Sequence, residues 1–352
     1  MRSEERPGVR RDVVPFDTED GLSLNLVHVR GESEPTRGPV LLVHGAGVRS
    51  HIFEAPVDTT LVDVLVENGF DVWLENWRAS IDVVPTDWTL DQAARYDHPA
   101  AVRSVLAQTG ADSVQAVIHC QGSTSFMMSA VAGLVPQVRT IVSNAVSLHP
   151  VVPRWSRLKL RFALPVLGIL VDALDPSWGT RPPGLAPKAI SLGVRAVHRE
   201  CDSTACRLVS FTYGSGFPAL WEHENLDRAT HEEFIPREFG RVPVSFFRQM
   251  ARCVQRGHLV AQEPLPGLPE DYLAAPPQTD ARFVLLSGEH NRCFLPESQV
   301  RTFEYLDRLA PGRHSLRVLP GYSHLDVFMG KRASHEVFPH IVEELSVGDR
   351  SA

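Results

Sequence analysis

The sequence predicts an α/β fold in which a mostly parallel central sheet carries helices on both faces and a large insertion. Apolar strand-like runs alternate with helical segments near both ends of the 352-residue chain. Apolar residues make up 43% of the chain, which is enough for an extensive core. Between residues 149 and 275 the alternation stops. We therefore expect one α/β core, formed by residues 1–148 and 276–352, and a mainly helical cap formed by residues 149–275.

The first half of the core contains four apolar runs typical of buried parallel strands. They are "PVLLVHG" (39–45), "FDVWLENW" (70–77), "SVQAVIHC" (113–120) and "VRTIVSNAV" (138–146). Between the first two runs, Leu61, Val64 and Leu65 share one face of a predicted helix that ends at Gly69. A second helix is expected to begin with Asp97 as its N-cap. This alternation predicts the first part of the sheet.

The alternation of strands and helices returns after the insertion. The predicted strands are "ARFVLLSG" (281–288) and "HSLRVLPG" (314–321), with helices from about Glu297 and around 333–346. The insertion itself is rich in Pro, Arg, Trp and Phe and mostly helical in period. Its apolar stretches, such as "RFALPVLGILVDAL", favour an apolar substrate. The alternative is that they only pack the cap onto the sheet.

Charge and hydropathy exclude several classes of protein. The net charge is −7 and no Lys/Arg cluster occurs, so we expect no nucleic-acid partner. The longest apolar run starts at Phe162, contains Pro165 and Asp172, and is too short to span a bilayer. The N-terminal segment lacks the apolar stretch of a secretory signal. We therefore predict no membrane span.

The chain contains five cysteines, an odd number that predicts free thiols and a cytoplasmic location. Cys201 and Cys206 are close enough in sequence to raise the question of a disulfide or a metal site. Because no second pair lies nearby, we interpret them as structural cysteines. No metal and no cofactor are predicted.

Residues 118–122, Ile-His-Cys-Gln-Gly, combine the end of a strand with a tight turn. The pattern matches the elbow G-x-S-x-G, in which a nucleophile sits on a sharp strand-to-helix turn above the sheet. Here Ile118 replaces the first glycine and Cys120 takes the position of the serine. The N-terminus of the following helix favours a thiolate at this position. The alternative is that Cys120 is a buried core thiol at the end of a strand.

Two further segments occur in the order that such a site requires. "VHGAG" (43–47) follows a central strand, so the backbone N–H groups of Ala46 and Gln121 are expected to form an oxyanion hole. "GYSHLDVF" (321–328) places His324 in a loop after the last predicted strand, where the general base of such an enzyme belongs. Together these segments favour catalysis over a chance elbow.

The third member of the predicted triad departs from the usual carboxylate. The acid normally lies three residues after the glycine of "RFVLLSG", and that residue is Asn291. A serine nucleophile would be poorly served by an amide, but a thiolate pairs directly with a protonated histidine. The third group then needs only to orient the imidazole, which an amide oxygen can do. We predict Asn291 in this role, with Glu289 and Asp326 as alternatives.

With these motifs the sequence resembles the α/β-hydrolase superfamily. The segments "VWLENWRAS", "ARYDHPAAV" and "GYSHLDVF" resemble those of the acid lipases. A likeness that runs nearly end to end is to bacterial modules found alone or fused to cholesterol-oxidase-type flavin oxidoreductases. It includes the "HCxGS" elbow at 119–123, "SLHPVVP" at 147–153 and "FLPES" at 294–298. The resemblance implies the α/β-hydrolase fold, a cap inserted after the sixth strand, and an oxidoreductase as functional partner.

These observations predict an acyl-transfer enzyme. Cys120 would attack an ester or thioester of an apolar substrate, free or carrier-bound, such as a lipid, sterol or polyketide-like molecule, and the acyl group would pass to water. One alternative is an acyltransferase or cyclase that passes the acyl group to an alcohol or amine. Another is a non-catalytic module that binds a lipid or a partner through a decayed elbow. The ordered presence of nucleophile, oxyanion loop and histidine favours catalysis.

Overall fold

The computed structural model describes residues 8–179, 181–198, 201–214 and 218–349. The strands of this part of the chain are β1 (Arg10–Asp17), β2 (Ser23–Arg30), β3 (Pro39–Val43), β4 (Asp71–Asn76), β5 (Val114–His119), β6 (Val138–Asn144), β7 (Ala173–Leu174), β8 (Val242–Pro243), β9 (Arg282–Gly288) and β10 (Ser315–Leu319). Eight of them form one sheet in the order β1-β2-β4-β3-β5-β6-β9-β10. The hairpin β1–β2 and the pair β2–β4 are antiparallel, and all other neighbours in this sheet are parallel. The predicted mostly parallel sheet is confirmed.

The α-helices of the described residues are α1 (Leu61–Glu67), α2 (Leu90–Gln92), α3 (His98–Thr109), α4 (Cys120–Val131), α5 (Arg154–Leu158), α6 (Leu164–Leu170), α7 (Leu185–Val197), α8 (Thr204–Tyr213), α9 (Ile235–Glu238), α10 (Val244–Arg256), α11 (Glu297–Leu309), α12 (Asp326–Met329), α13 (Ala333–Glu336) and α14 (Phe338–Asp349). Short π-helical segments join α2 to α3, α5 to α6, and lead into α9. Among these helices, none is both long enough and apolar enough to cross a bilayer.

The central strands are covered on both faces. Every residue of β3, β4 and β5 is buried, and because side chains alternate between the two faces of a strand, both faces must be packed. Leu41 and Leu42 point to opposite faces and are both fully buried. Truncating either to Ala is expected to cost about 2–5 kcal/mol of stability. This rigid centre carries the elbow at the end of β5.

The two predicted helices of the first half begin differently from one another. α1 begins after Thr60, whose side chain forms a capping box with Asp63, and it ends before Gly69, which has φ of 82°. The second helix, α3, begins at His98 directly after Asp97, as predicted, but the side chain of Asp97 forms no capping hydrogen bond. Thr89 caps a continuous helical segment at Leu90, and the carboxylate of Asp97 pairs with buried Arg78 instead.

The cap lies between β6 and β9, after the sixth strand of the fold, as the resemblance implied. It contains α5 to α10 and a two-stranded sheet of β7 and β8, whose strands have only two residues each. The exact boundaries of core and cap remain a prediction. The sequence analysis identified no strand before Pro39, because β1 and β2 form an edge hairpin with many exposed residues.

Candidate active site

Cys120 lies on a strained turn between β5 and α4. Its φ is 55°, and among the described non-glycine residues only Ala145 shares this left-handed backbone. The turn requires small neighbours. A Cβ atom on Gly122 would lie 2.1 Å from the carbonyl oxygen of His44, and one on Gly45 would lie 2.9 Å from the Cβ of Cys120. This backbone conformation is energetically unfavourable, and it places the thiol above the sheet.

His324 approaches the thiol from the loop after β10. The sulfur of Cys120 and one ring nitrogen each of His119 and His324 lie within 4.8 Å of one another. Burial acts to raise the pKa of the Cys120 thiol, but the hydrogen bond from Cys293, the charge and hydrogen bond of His324, and the backbone N–H of Gln121 prevail and lower this pKa to about 5. These contacts therefore favour the thiolate over the neutral thiol.

Asn291 lies beside His324, but not in the orientation that the sequence analysis expected. Its amide nitrogen lies 3.1 Å from Nδ1 of His324. Its amide oxygen accepts the backbone N–H groups of Cys293 at 3.0 Å and Phe294 at 3.1 Å. Because only the oxygen can accept these two bonds, the amide nitrogen must face the imidazole. This donor makes Nδ1 an acceptor, so the proton of a neutral His324 sits on Nε2.

The two alternatives to Asn291 have other partners. Asp326 accepts N–H groups from Ser323, Glu222 and the side chain of Asn225, at distances of 2.7–3.1 Å. Glu289 is exposed, and its carboxylate accepts the N–H of Gly321 at 3.2 Å. The structure therefore brings Asn291, and neither carboxylate, to the imidazole.

The loop predicted to supply the oxyanion hole lies under the cap. The hydroxyl of Tyr213 donates to the carbonyl oxygen of Ala46 at 3.0 Å. A Cβ on Gly47 would lie 2.4 Å from this hydroxyl, so the loop and the cap are in close contact. Gln121 is the second residue of α4, and the N–H of such a residue has no partner within the helix. Its N–H points at the Cys120 sulfur, as expected of an oxyanion donor beside the nucleophile.

Three residues around the thiol were missed by sequence reasoning. Cys293 donates a hydrogen bond to Cys120 and also contacts the carbonyl oxygen of Tyr213 at 3.2 Å. His119 packs on His324 with ring centroids 4.7 Å apart, and burial lowers its pKa well below the usual value. Lys159 is a partly buried residue of the cap, and desolvation of its ammonium group lowers its pKa to about 8. Only the positions of His119 and Cys293, next to the elbow and Asn291, offered a signal.

The cavity beside Cys120 is small and mostly apolar. It has a volume of about 40 Å³. Its apolar wall includes Val152, Leu160, Phe246 and Met250, which come from the start of the cap and from cap helices. A cavity of this size holds one or two water molecules. An acyl chain can therefore enter only after cap side chains move.

A second set of residues has the composition of a serine triad. Nδ1 of His98 lies 2.9 Å from the carboxylate of Glu75, and Nε2 lies 2.7 Å from the hydroxyl of Ser125. All three side chains are fully buried. Ser125 lies within α4, where the hydroxyl also donates to the carbonyl oxygen of Gln121. This set has no open side toward a substrate.

Comparisons with known proteins agree with this architecture. No family profile matches the chain. Sterol esterase 2 of Saccharomyces cerevisiae is 29% identical over 169 residues, which are 41% of this chain and 31% of that protein. Human lipase member K is 22% identical over 355 residues, which are 92% of this chain and 85% of that protein. The match to the first of these curated relatives therefore spans about a third of its length.

Solved structures share the fold. A soluble variant of monoglyceride lipase from Saccharomyces cerevisiae, in complex with a substrate analog, superposes with a TM-score of 0.63 at 14% identity. The superposition covers 99% of this chain and 98% of that one. This similarity supports the fold that was predicted from the sequence. The chain has the α/β-hydrolase fold, and its sequence is similar to those of lipases and esterases.

Proposed function

We propose that this chain is an acyl-transfer enzyme with Cys120 as nucleophile, acting on an ester or thioester of an apolar acyl group. One observation carries the proposal. Cys120 sits on a left-handed elbow, lines a cavity, and has its pKa lowered to about 5 by neighbours that include His324. A core thiol would have no reason to combine a strained backbone, an adjoining cavity and a lowered pKa.

The proposed reaction begins with attack of the Cys120 thiolate on the acyl carbonyl carbon. A carbon–sulfur bond forms, and the carbonyl oxygen becomes an oxyanion held by the N–H groups of Ala46 and Gln121. The bond to the leaving alcohol or thiol then breaks, and a thioester acyl-enzyme remains. Hydrolysis of this thioester by water releases the acid and restores the thiol. His324 donates a proton to the leaving group in the first half of the reaction and accepts a proton from water in the second half.

The orientation of Asn291 favours a second candidate acceptor. To activate water, Nε2 of His324 must be free to accept a proton, which places the other proton on Nδ1. The amide nitrogen of Asn291 donates to Nδ1 and opposes this tautomer. Slow hydrolysis would lengthen the life of the acyl-enzyme and give an amine acceptor time to react, because a neutral amine attacks the thioester first and loses its proton afterwards. An alcohol acceptor needs the same base as water and gains this advantage only if it is bound beside the thioester. Acyl transfer or cyclisation is therefore the alternative to hydrolysis.

Exposed apolar side chains on the cap support an apolar substrate. Trp155, Phe162 and Ile169 expose 74%, 62% and 84% of their surface on the helical segment from α5 to α6. Exposed apolar patches commonly mark sites of interaction. The similarity to a sterol esterase and lipases points to the same class of substrate. Carrier-bound thioesters, an oxidoreductase partner and a cytoplasmic location belong to this proposal as predictions from the sequence.

The experiment that tests the proposal is a search for the acyl-enzyme. The protein is incubated with a panel of aryl esters and acyl thioesters of increasing chain length, and intact mass and peptide mapping locate any adduct. We expect an acyl adduct on Cys120, and none on Cys253, which is buried in the cap and whose pKa burial raises to about 12. Absence of adduct and of turnover across the panel would contradict the proposal.

Addition of an amine then separates the two acceptors. Hydroxylamine is added to the isolated acyl-enzyme, and the ratio of hydroxamate to free acid is measured. A preference for the amine beyond that of the same thioester in solution would identify a transferase. A ratio equal to that in solution, with fast release of acid, would identify a hydrolase.

A further inference from the structure

The cap contains a cluster of two cysteines and two histidines far from the proposed nucleophile. The ligand atoms of Cys201, Cys206, His223 and His231 all lie within 4.8 Å of one another. Cys206 is buried, and the other three side chains are partly exposed. The sequence analysis treated the cysteines as structural because no second pair lies nearby. His223 follows Cys206 by 17 residues and His231 follows Cys201 by 30, and only the folded cap brings them together.

We propose that Cys201, Cys206, His223 and His231 bind a zinc ion that holds the cap together. Two thiolates and two imidazoles are a donor set that zinc prefers, and four protein ligands leave no open position, which is typical of a structural site. The ion would also neutralise the two thiolates that it requires. This proposal does not depend on the chemistry of Cys120.

The distances within the cluster fit a tetrahedral ion. With zinc–sulfur bonds of about 2.3 Å and zinc–nitrogen bonds of about 2.1 Å, sulfur and nitrogen ligands are separated by about 3.6 Å. The sulfur of Cys201 lies 3.5 Å from Nε2 of His231, and the sulfur of Cys206 lies 3.5 Å from Nε2 of His223. The two imidazole rings are nearly perpendicular, with centroids 4.9 Å apart. Each ring therefore places its Nε2 atom beside one of the two sulfur atoms.

The backbone around the cysteines also suits a thiolate site. The N–H of Ser203 points at the sulfur of Cys201 at 3.3 Å. Cys206 lies in the first turn of α8, which Ser203 caps by accepting the N–H of Cys206. Positive helix termini and N–H donors stabilise thiolates, and such outer contacts tune metal sites. The cluster thus has both ligands and supporting donors.

The site would join three cap segments that also contact the proposed active site. Cys201 precedes α8, while His223 and His231 lie in later turns of the cap. Leu220 lies between Cys206 and His223 in the sequence, and its carbonyl oxygen accepts the N–H groups of His324 and Leu325. Fixing these segments would therefore fix the backbone that holds the loop of His324.

Cobalt substitution tests the site directly. The Cys120→Ala protein is used, because His119, Cys120 and His324 form a second group that could bind the probe. The reduced protein is stripped with a chelator and titrated with Co²⁺. We expect saturation at one equivalent, with a thiolate-to-cobalt charge-transfer band and the intense visible bands of tetrahedral cobalt. Weak octahedral bands alone would overturn the proposal.

Two ligand variants and one control complete the test. Cys206→Ser and the partly exposed His231→Asn should each weaken Co²⁺ binding by more than about 10-fold, since loss of a residue behind a ligand alone typically costs that much. Cys253→Ser removes a buried cysteine outside the cluster and should bind Co²⁺ like the parent. Zinc should raise the midpoint of thermal unfolding of the parent and not of the ligand variants. A Cys201–Cys206 disulfide in protein purified without added oxidant, with no bound zinc, would overturn the site.

Discussion

The buried set of Ser125, His98 and Glu75 can be compared with the set of Cys120, His324 and Asn291. The buried set has a serine, a histidine and a carboxylate, joined by contacts of 2.7 and 2.9 Å. The other set has a thiol and an amide, and the amide contact is 3.1 Å with its nitrogen toward the ring. Judged by residue types and distances alone, the buried set is the better triad.

The surroundings and the backbone conformation of the two residues favour Cys120 over Ser125 instead. Ser125 lies inside α4 and is fully buried, whereas Cys120 lies on the left-handed turn before the helix and lines a cavity. An oxyanion needs N–H donors that have no partner, and those occur at the first turn of a helix, not in its interior. A nucleophile is therefore defined by its place in the backbone more than by the partners of its side chain.

The largest expected effect comes from replacing Cys120 and Ser125 by alanine, one at a time. Cys120→Ala should lower kcat at least about 10⁴-fold on the best substrate of the panel, because the acyl-enzyme cannot form. Ser125→Ala should leave most of the rate intact and lower stability by about 1–3 kcal/mol, because His98 loses a buried partner. Steady-state kinetics and urea unfolding measure the two effects. The opposite pattern would show that the buried set is the catalytic one.

Asn291 should have the next largest effect, in two directions. Asn291→Ala leaves the N–H groups of Cys293 and Phe294 unpaired and frees the ring of His324, so we expect kcat to fall by roughly 10- to 100-fold. Asn291→Asp can serve both sides, since one oxygen accepts the backbone N–H groups and the other accepts a hydrogen bond from Nδ1–H of His324.

The aspartate variant should therefore raise the rate of hydrolysis of the acyl-enzyme, by roughly 10-fold. Rapid mixing of the isolated acyl-enzyme of each variant with buffer, followed by quantification of free acid, measures this rate. Equal losses in Asn291→Asp and Asn291→Ala would show that the amide nitrogen is itself required, and that the tautomer argument is wrong.

A smaller effect is expected from the second thiol. The hydrogen bond from Cys293 helps to lower the pKa of Cys120 to about 5, so the thiolate is present above about pH 5 and is lost as the pH falls. Cys293→Ala removes this donor and should move the acidic limb of the alkylation rate of Cys120 upward by about one pH unit. Cys293→Ser keeps a donor and should move it less. Iodoacetamide labelling against pH measures the shift, and identical profiles for all three proteins would contradict this role.

The order of elements along the chain was enough to predict much of this fold. The apolar runs of β3, β4 and β5 and the return of strands at β9 and β10 are visible because parallel strands buried on both faces carry a continuous signal. The edge strand β1 and its neighbour β2, which have partly exposed residues, lack that signal. Asp97 occupies the N-cap position of α3, but its carboxylate binds Arg78 instead of capping the helix, and this partner from a distant part of the chain is not visible in the local sequence.

The sequence was enough to predict where the candidate site residues lie along the chain, but not how their side chains are oriented. Cys120, Asn291 and His324 could be identified because they follow the predicted strands β5, β9 and β10. The amide orientation of Asn291 depends on two N–H groups that only the folded loop directs at one oxygen. The hydrogen bond from Cys293 and the histidines around Cys206 likewise depend on how the cap folds, and no local pattern encodes them.

The smallest expected effect comes from Glu289, the carboxylate that stands nearest to the usual acid position in the sequence. It is exposed, and its contact is the N–H of Gly321 at 3.2 Å, which a glutamine oxygen can also accept. Glu289→Gln should therefore leave kcat unchanged and alter stability by less than about 0.5 kcal/mol. Parallel kinetics with Asn291→Ala provide the comparison. Loss of activity in Glu289→Gln, with Asn291→Ala active, would mean that a carboxylate outside both sets supports His324 once the cap moves.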